Sequence, residues 1–214
     1  MPGAPSSRCL PPCLGYASPM RKQAYKFFPT LVHYYKDVLT PDEIERVAAY
    51  CLTVEAGNHA ALAGDSRSSF STKSRLIEQL AEHHESLRDL RGRLESLLAG
   101  YAAEMGFDDV KLTNSWFNIQ YPGSVLKHHV HTHCKIAAAL YIRSDEQSSK
   151  LFLENPNPTL NYIRPDRFTE YSFEYATFKV APGDMVLFPA WIRHGSGFEA
   201  NLSAMRLVVS MNGE

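Results

Sequence analysis

The sequence has no large excess of either charge: 22 Lys and Arg stand against 23 Asp and Glu, a formal net charge of -1. That balance removes the general electrostatic reason to bind nucleic acid or a membrane surface, and neither is an expected partner. No run of roughly eighteen apolar residues occurs, so no membrane-spanning helix is expected. The first nineteen residues are rich in Pro, Ser and Gly and hold no apolar segment of signal-peptide length. They read as a flexible N-terminal extension before Met20. Cysteine is scarce: there are 4, and Cys9 and Cys13 fall in that leading stretch. This is neither a disulfide framework nor a zinc ribbon, and a reducing, cytoplasmic setting is expected. No internal repeat is present.

What is there suffices for a packed domain. With 214 residues and 44% hydrophobic content, residues 20–214 are expected to form a single domain with a sizeable core. Aromatic and aliphatic residues after Pro29 predict a strand that joins the main sheet. Thr40-Pro41-Asp42-Glu43 combines an N-cap, a proline at the first helical position and a glutamate at the third. Ile44, Val47, Ala48, Cys51 and Leu52 continue it as one apolar stripe, so a helix is predicted there. The small and polar stretch from Ala56 to Thr72 reads as a surface loop. From about Ser74 to Met105 a single long helix is predicted, with Leu87, Leu90, Leu94, Leu97, Leu98, Tyr101 and Met105 facing the core and Gly106 ending it.

Beyond Val110 the texture becomes short strands separated by turn residues: 110–121, 135–143, 151–153, 171–180, 185–188 and 205–212. Helical support over 40–106 followed by a strand-rich core over 110–212 implies an α+β fold. The architecture it suggests is a double-stranded β-helix of the jelly-roll or cupin type, buttressed by the N-terminal helices.

The chemistry concentrates in one stretch, because four of the nine histidines fall within His128–His133, just before an apolar run. In an extended segment His129, His131 and His133 project to one face and His128 to the other. An H-x-H pair gives a divalent ion two ligands, and a facial site needs a third from elsewhere. His194 is the natural supplier, following Gly183-Asp184-Met185-Val186-Leu187-Phe188-Pro189 and a short second strand. Arg206 then opens the closing strand, and a lone Arg in an apolar strand calls for an anion. His128 and His133 read as bystanders, and Trp116 and Trp191 as packing aromatics.

Taken in order, H-x-H, Tyr141, Gly-Asp-x-Val-Leu-Phe-Pro-x-Trp-x-x-His and the final-strand Arg resemble the prolyl-hydroxylase-like branch of the 2-oxoglutarate and Fe(II)-dependent oxygenases. More narrowly, the chain is similar to small bacterial and phage 2OG-Fe(II) oxygenases with an HxH…H pattern, and the likeness spans about Phe27 to Asn212. That resemblance implies Fe(II) held by His129, His131 and His194, with 2-oxoglutarate and O2 as co-substrates. It also implies that Arg206 and Tyr141 bind the distal carboxylate, that Ser210 assists, and that Asn118 of Trp116-Phe117-Asn118 contacts the metal-bound end. The reaction implied is hydroxylation of a small molecule or protein side chain, coupled to decarboxylation of 2-oxoglutarate to succinate and CO2.

The sequence departs from the wider superfamily in one respect: His131 stands where a carboxylate ligand is usual, leaving the ion one unit more positive. Val208 occupies the position of the family serine two residues past the arginine. Asp184 and Glu154 are the nearest alternative carboxylates, and they read as a turn residue and a strand-end charge. Two other classes fit the residues: a three-histidine cupin dioxygenase that uses no 2-oxo acid, and a non-catalytic barrel that binds a metal or a small acid.

Overall fold

The computed structural model describes residues 29–57, 68–70, 75–157 and 163–214. The expected extension over residues 1–19 lies outside the described residues, as does most of the expected loop over 56–72.

The helical half begins with α1 (Pro41–Gly57), after the short strand β1 (His33–Tyr35). Its start is the reciprocal cap that the sequence predicts: the Thr40 N–H donates to Glu43 Oε2 at 2.8 Å, and the Glu43 N–H donates to Thr40 Oγ1 at 3.3 Å. Glu43 also pairs with Arg93, which donates to the Val38 carbonyl at 3.1 Å, so the cap is tied to a later helix. The predicted single helix over 74–105 is instead broken. Helix α2 (Leu76–His83) ends at His84, which is extended at φ -134° and ψ 119°, and a 3-10 turn over Glu85–Leu87 leads into α3 (Leu90–Glu104). Both pieces keep an apolar face in the core, through Leu76, Ile77 and Leu80 in one and Leu90, Leu94 and Leu98 in the other. Arg91 pairs with Glu78 across the break. Gly106 ends α3 at φ 77°, as expected, with its N–H donating to the Ala103 carbonyl at 3.1 Å.

The remaining strands are β2 (Ser68–Phe70), β3 (Leu112–Gln120), β4 (Ile136–Arg143), β5 (Leu151–Glu154), β6 (Tyr175–Phe178), β7 (Met185–Pro189), β8 (His194–Gly195) and β9 (Arg206–Gly213). Two are departures. Part of the expected 56–72 loop is helix α1, and Ser68–Phe70 within it is a strand paired antiparallel with β3. The expected strand over 171–180 shrinks to Tyr175–Phe178, because the Ser172 N–H closes a turn on the Thr169 carbonyl at 3.0 Å.

Strands assemble into a six-stranded sheet of order β1-β7-β4-β9-β3-β2 and a three-stranded sheet of order β6-β5-β8, all through antiparallel pairs. Strand β1 joins the main sheet beside β7, as expected. Alternation then sorts side chains to two separate cores. Along β4, Ile136, Ala138, Leu140 and Ile142 enter a cluster with helix residues such as Val47, Cys51, Leu80, Leu94 and Leu98. Ala137, Ala139 and Tyr141 point the other way, to a cluster shared with Leu151 and Leu153 of the small sheet. Strand β7 divides likewise, with Met185 and Leu187 toward the helices and Val186 and Phe188 toward the small sheet. Apolar cover on both faces explains why β4 and β7 read as unbroken hydrophobic runs. Each buried Leu, Ile, Val, Phe or Met among them contributes roughly 1.5–3 kcal/mol by leaving water, and each alanine less. No helix among the described residues is long and apolar enough to cross a membrane.

Candidate metal centre

Interior strand β9 carries a polar face into the space between the sheets. Its odd positions Leu207, Val209 and Met211 fill the helix-side core. Its even positions Arg206, Val208, Ser210 and Asn212 line a cavity of about 520 Å³. Strand β3 adds Trp116 and Asn118 to the same wall, and β4 adds Ala139 and Tyr141. His129, His131 and His194 stand on the lining of this cavity too.

The three histidines converge. One ring nitrogen from each lies within 4.8 Å of the others, and Nε2 of His129 is 3.2 Å from Nε2 of His131. Two cis ligands held roughly 2.1 Å from one ion stand about 3 Å apart, so that pair already has the spacing of a metal site. The backbone explains the convergence: His129 and His194 form an isolated antiparallel bridge, their N–H groups and carbonyls exchanged at 2.9 Å. His131 is held by its N–H, which donates to the Ala190 carbonyl at 2.9 Å. Gly195 permits the close approach of this segment to β8, because a Cβ there would lie 2.7 Å from the Leu126 carbonyl oxygen.

Each ring is turned by its other nitrogen. Nδ1 of His129 lies 2.8 Å from the Lys127 carbonyl, Nδ1 of His194 lies 2.9 Å from the Ile192 carbonyl, and Nδ1 of His131 lies 2.6 Å from Asn212 Oδ1. All three partners are acceptors, so each Nδ1 carries the proton and each Nε2 keeps its lone pair. Burial pushes the His194 pKa down to about 3, with the neighbouring His129 adding to the effect, and burial also lowers that of His131. Neutral imidazoles with lone pairs aimed at one point are the electronic requirement of a divalent ion site.

His133 does not share the row. It adopts φ 65°, turning the chain toward β4, and is absent from the cluster. The extended reading therefore holds for the H-x-H pair and fails two residues later. His128 points away, its Nδ1 3.5 Å from Glu154, which also pairs with Arg193 at 3.0 Å. Asp184 accepts from Tyr34 and, at 2.8 Å, from the Ala181 N–H, the turn role expected of it. Neither carboxylate belongs to the histidine cluster. Trp116 packs 5.5 Å from the His131 ring, but Trp191, read as a packing aromatic, is 52% exposed.

Elsewhere on the same wall, Arg206 is 4% exposed and Tyr141 fully buried, with the guanidinium 5.3 Å from the phenol ring centroid. Arg206 donates through Nη1 to Gln120 Oε1, while its Nε and the Tyr141 hydroxyl have no hydrogen-bond partner among the described residues. Burial lowers the Arg206 pKa and raises that of Tyr141, and the attraction between the two opposes both shifts. Asn118 Nδ2 donates to Ser210 Oγ at 3.1 Å, joining those two expected residues across the β3–β9 pair. Sequence reasoning missed Asn212 and Gln120. Strand alternation carried the signal, since Asn212 shares parity with Arg206 and Ser210, and Gln120 shares it with Trp116 and Asn118.

Residues 114–212 match a family model described as "Putative 2OG-Fe(II) oxygenase". No curated protein matches the chain. Among solved structures the fold is similar to that of a prolyl-4-hydroxylase from Pseudomonas putida, at 15% identity and a TM-score of 0.55 over 86% of this chain and 92% of that one. It is similar to the non-heme alpha-ketoglutarate-dependent epimerase SnoN from nogalamycin biosynthesis, at 15% identity and a TM-score of 0.62 over 86% of this chain and 76% of that one. HygX from Streptomyces hygroscopicus, solved with nickel, 2-oxoglutarate and hygromycin B bound, gives 15% identity and a TM-score of 0.56 over 86% of this chain and 82% of that one. These likenesses bear out the double-stranded β-helix expected from the sequence. The resemblance to the 2-oxoglutarate and Fe(II)-dependent oxygenases is likewise borne out, and the family match covers the strand-rich part that holds the histidine cluster.

Proposed function

We propose that the protein is a 2-oxoglutarate- and Fe(II)-dependent dioxygenase, and that residues 20–214 work as one unit to hydroxylate a small molecule or a protein side chain. The observation that carries this reading is the pairing of two features on one cavity wall: a point on which three imidazoles converge, and a buried guanidinium with no carboxylate partner among the described residues. The first fits a divalent cation. The second fits the far carboxylate of a 2-oxo diacid.

In this reading His129, His131 and His194 hold the iron, and Arg206 with Tyr141 holds the distal carboxylate through charge-assisted bonds. The unpartnered Arg206 Nε and Tyr141 hydroxyl are buried donors whose desolvation an incoming anion offsets. Ser210 and Asn118, already bonded to each other, present polar groups to the co-substrate between those two ends. When bound, Fe(II) supplies the one-electron and O2 chemistry that couples decarboxylation of 2-oxoglutarate to oxidation of a substrate C–H bond. Ala139, Val208, Phe188 and Leu151 line the cavity with apolar surface and keep water from that reaction. An all-imidazole ligand set leaves the centre one unit more positive than a set with a carboxylate, which strengthens its hold on a dianionic chelator.

The same all-imidazole set also suits a dioxygenase that uses no 2-oxo acid, with Arg206 binding a substrate carboxylate. Anaerobic titration of the Fe(II) protein with 2-oxoglutarate separates the two. A weak visible charge-transfer band is expected, followed by succinate formation once air is admitted. Folded, iron-loaded protein that shows no such band at saturating 2-oxoglutarate would overturn the proposal.

A further inference from the structure

The cavity has a closed end and an open one. Arg206 and Tyr141 are buried, whereas Lys127, Val130 and Thr132 line the same cavity and are exposed. Lys127 belongs to the segment that carries the first two histidines. It and His129 both line the cavity, and His128 between them turns the other way, toward Glu154 and Tyr175. A lysine on an open surface commonly serves solubility alone. Among the described residues, however, Lys127 and the buried Arg206 are the only Lys or Arg on the cavity lining, and no Asp or Glu lines it. The Lys127 ammonium has no carboxylate partner among the described residues. Around it the lining is apolar, from Val125, Leu126, Val130 and the half-buried Trp116. At about 520 Å³ the cavity has the size that takes a drug-sized ligand, so a small diacid seated at Arg206 leaves room for a second molecule.

Charge decides what kind of molecule suits that space. Imidazole ligands bring no negative charge, so a divalent ion and Arg206 together outweigh the two carboxylates of 2-oxoglutarate by one unit, and Lys127 adds another. A positive cavity with an apolar opening is complementary to an acid that has a hydrocarbon body. We propose that Lys127 is a specificity-determining residue that holds the carboxylate of the molecule to be oxidised, and that this substrate is a small acid with an apolar body. The inference rests on the function proposed above and adds a substrate class to it. The backbone carbonyl of Lys127, not its side chain, lies 2.8 Å from Nδ1 of His129, so substitution leaves the support of that ring in place. The side chain is exposed, and its replacement should leave the fold intact.

Two probes of one shape and different charge, 3-phenylpropionate and 3-phenylpropanamide, test this by calorimetry on the anaerobic protein loaded with Fe(II) and 2-oxoglutarate. Wild type should bind the acid more tightly than the amide. The ratio of the two affinities should fall about 3- to 10-fold in Lys127→Met and further in Lys127→Glu, while 2-oxoglutarate affinity changes less than threefold in Lys127→Met. An unchanged ratio in both variants overturns the inference and leaves the proposed function standing. So does wild-type protein that prefers the amide, or that binds neither probe at millimolar concentration, because the opening then holds no acid of this kind. A loss of 2-oxoglutarate affinity in Lys127→Met as large as the loss for the acid probe assigns Lys127 to the co-substrate and overturns the inference as well. Wild-type protein that binds Fe(II) but no 2-oxoglutarate removes the proposed function itself and the inference with it.

Discussion

Replacing Asn212 with Leu should weaken the metal site without touching a ligand. Asn212 is 9% exposed, and its Oδ1 lies 2.6 Å from Nδ1 of His131. That acceptor keeps the proton on Nδ1 and leaves Nε2, 3.2 Å from its counterpart on His129, free to bind. Leucine has the same branching as asparagine, though it is bulkier, and it removes the acceptor, leaving the buried Nδ1–H unsatisfied and the ring free to rotate or change tautomer. Loss of such an outer partner costs about 10- to 100-fold in metal affinity, which is about 1.4–2.7 kcal/mol. Since an unsatisfied buried donor costs about 1–3 kcal/mol, much of the change should also appear as lower stability of the metal-free protein. Calorimetric titration of the anaerobic apo-protein with Fe(II), alongside urea unfolding without metal, reads both quantities. Asn212→Asp retains an acceptor and should bind close to wild type or more tightly. If Asn212→Leu bound Fe(II) as tightly as wild type while His131→Ala did not, tautomer control by Asn212 would be refuted and only ligation by His131 would remain.

Tyr141→Phe removes a buried hydroxyl that has no hydrogen-bond partner among the described residues, so the metal-free protein should unfold at the same or a slightly higher temperature. The same variant should bind 2-oxoglutarate about tenfold more weakly, and a drop in stability with unchanged affinity would contradict the role given to the phenol. Gly195→Ala puts a methyl 2.7 Å from the Leu126 carbonyl oxygen, a backbone atom with little room to give. The segment carrying His129 must then move from β8, at a cost of about 1–3 kcal/mol in stability and with loss of Fe(II) binding, both measurable by thermal unfolding with and without metal. The His194 pKa, held at about 3, lies below the ordinary histidine value, so the folded metal-free protein binds fewer protons than the unfolded chain. Stability from this group is whole above pH about 6.5 and is lost as pH falls toward about 3, with about 2 kcal/mol gone at pH 5. Urea midpoints of wild type and His194→Gln should therefore converge on acidification, and parallel curves would count against it.

What the sequence reveals about the fold follows how local each signal is. The α1 cap is legible because its partners, Thr40 and Glu43, are three residues apart and close a ring that needs nothing else. The break at His84 is not, because the leucine spacing runs through it: Leu80, Leu87, Leu90, Leu94 and Leu98 continue a helical period while the chain between them leaves the helix. Neither Gly nor Pro marks the place. The gain that breaks it is tertiary, since bending lets α2 and α3 both bury their stripes in the cluster behind the sheet. Strand β2 was hidden for a similar reason, as Ser68–Ser69–Phe70 has little strand character and takes its register from pairing with Gln120, Ile119 and Asn118.

The site follows the same logic with its parts reversed. H-x-H is a local signal, and alternation places His129 and His131 on one side without knowledge of the fold. His133 breaks the pattern because its φ of 65° belongs to a turn, and nothing in Thr132-His133-Cys134 announces a left-handed residue. Arg206 is conspicuous for a different reason: an always-charged group in an apolar strand must be either at an edge or paired. Strand β9 lies between β4 and β3, so the edge is ruled out, and among the described residues the guanidinium meets only neutral groups, the Gln120 oxygen and the Tyr141 phenol. A neutral acceptor does not balance a guanidinium that is 4% exposed. In the proposed function the residual positive charge serves the anionic co-substrate, and the protein would retain it at a stability cost that an apolar replacement relieves. Arg206→Met should accordingly unfold at a higher temperature than wild type when metal and oxo acid are absent, by thermal denaturation, yet show no saturable binding of 2-oxoglutarate. A variant that lost stability and kept its 2-oxoglutarate affinity would mean that the guanidinium is paired in solution by something other than the ligand.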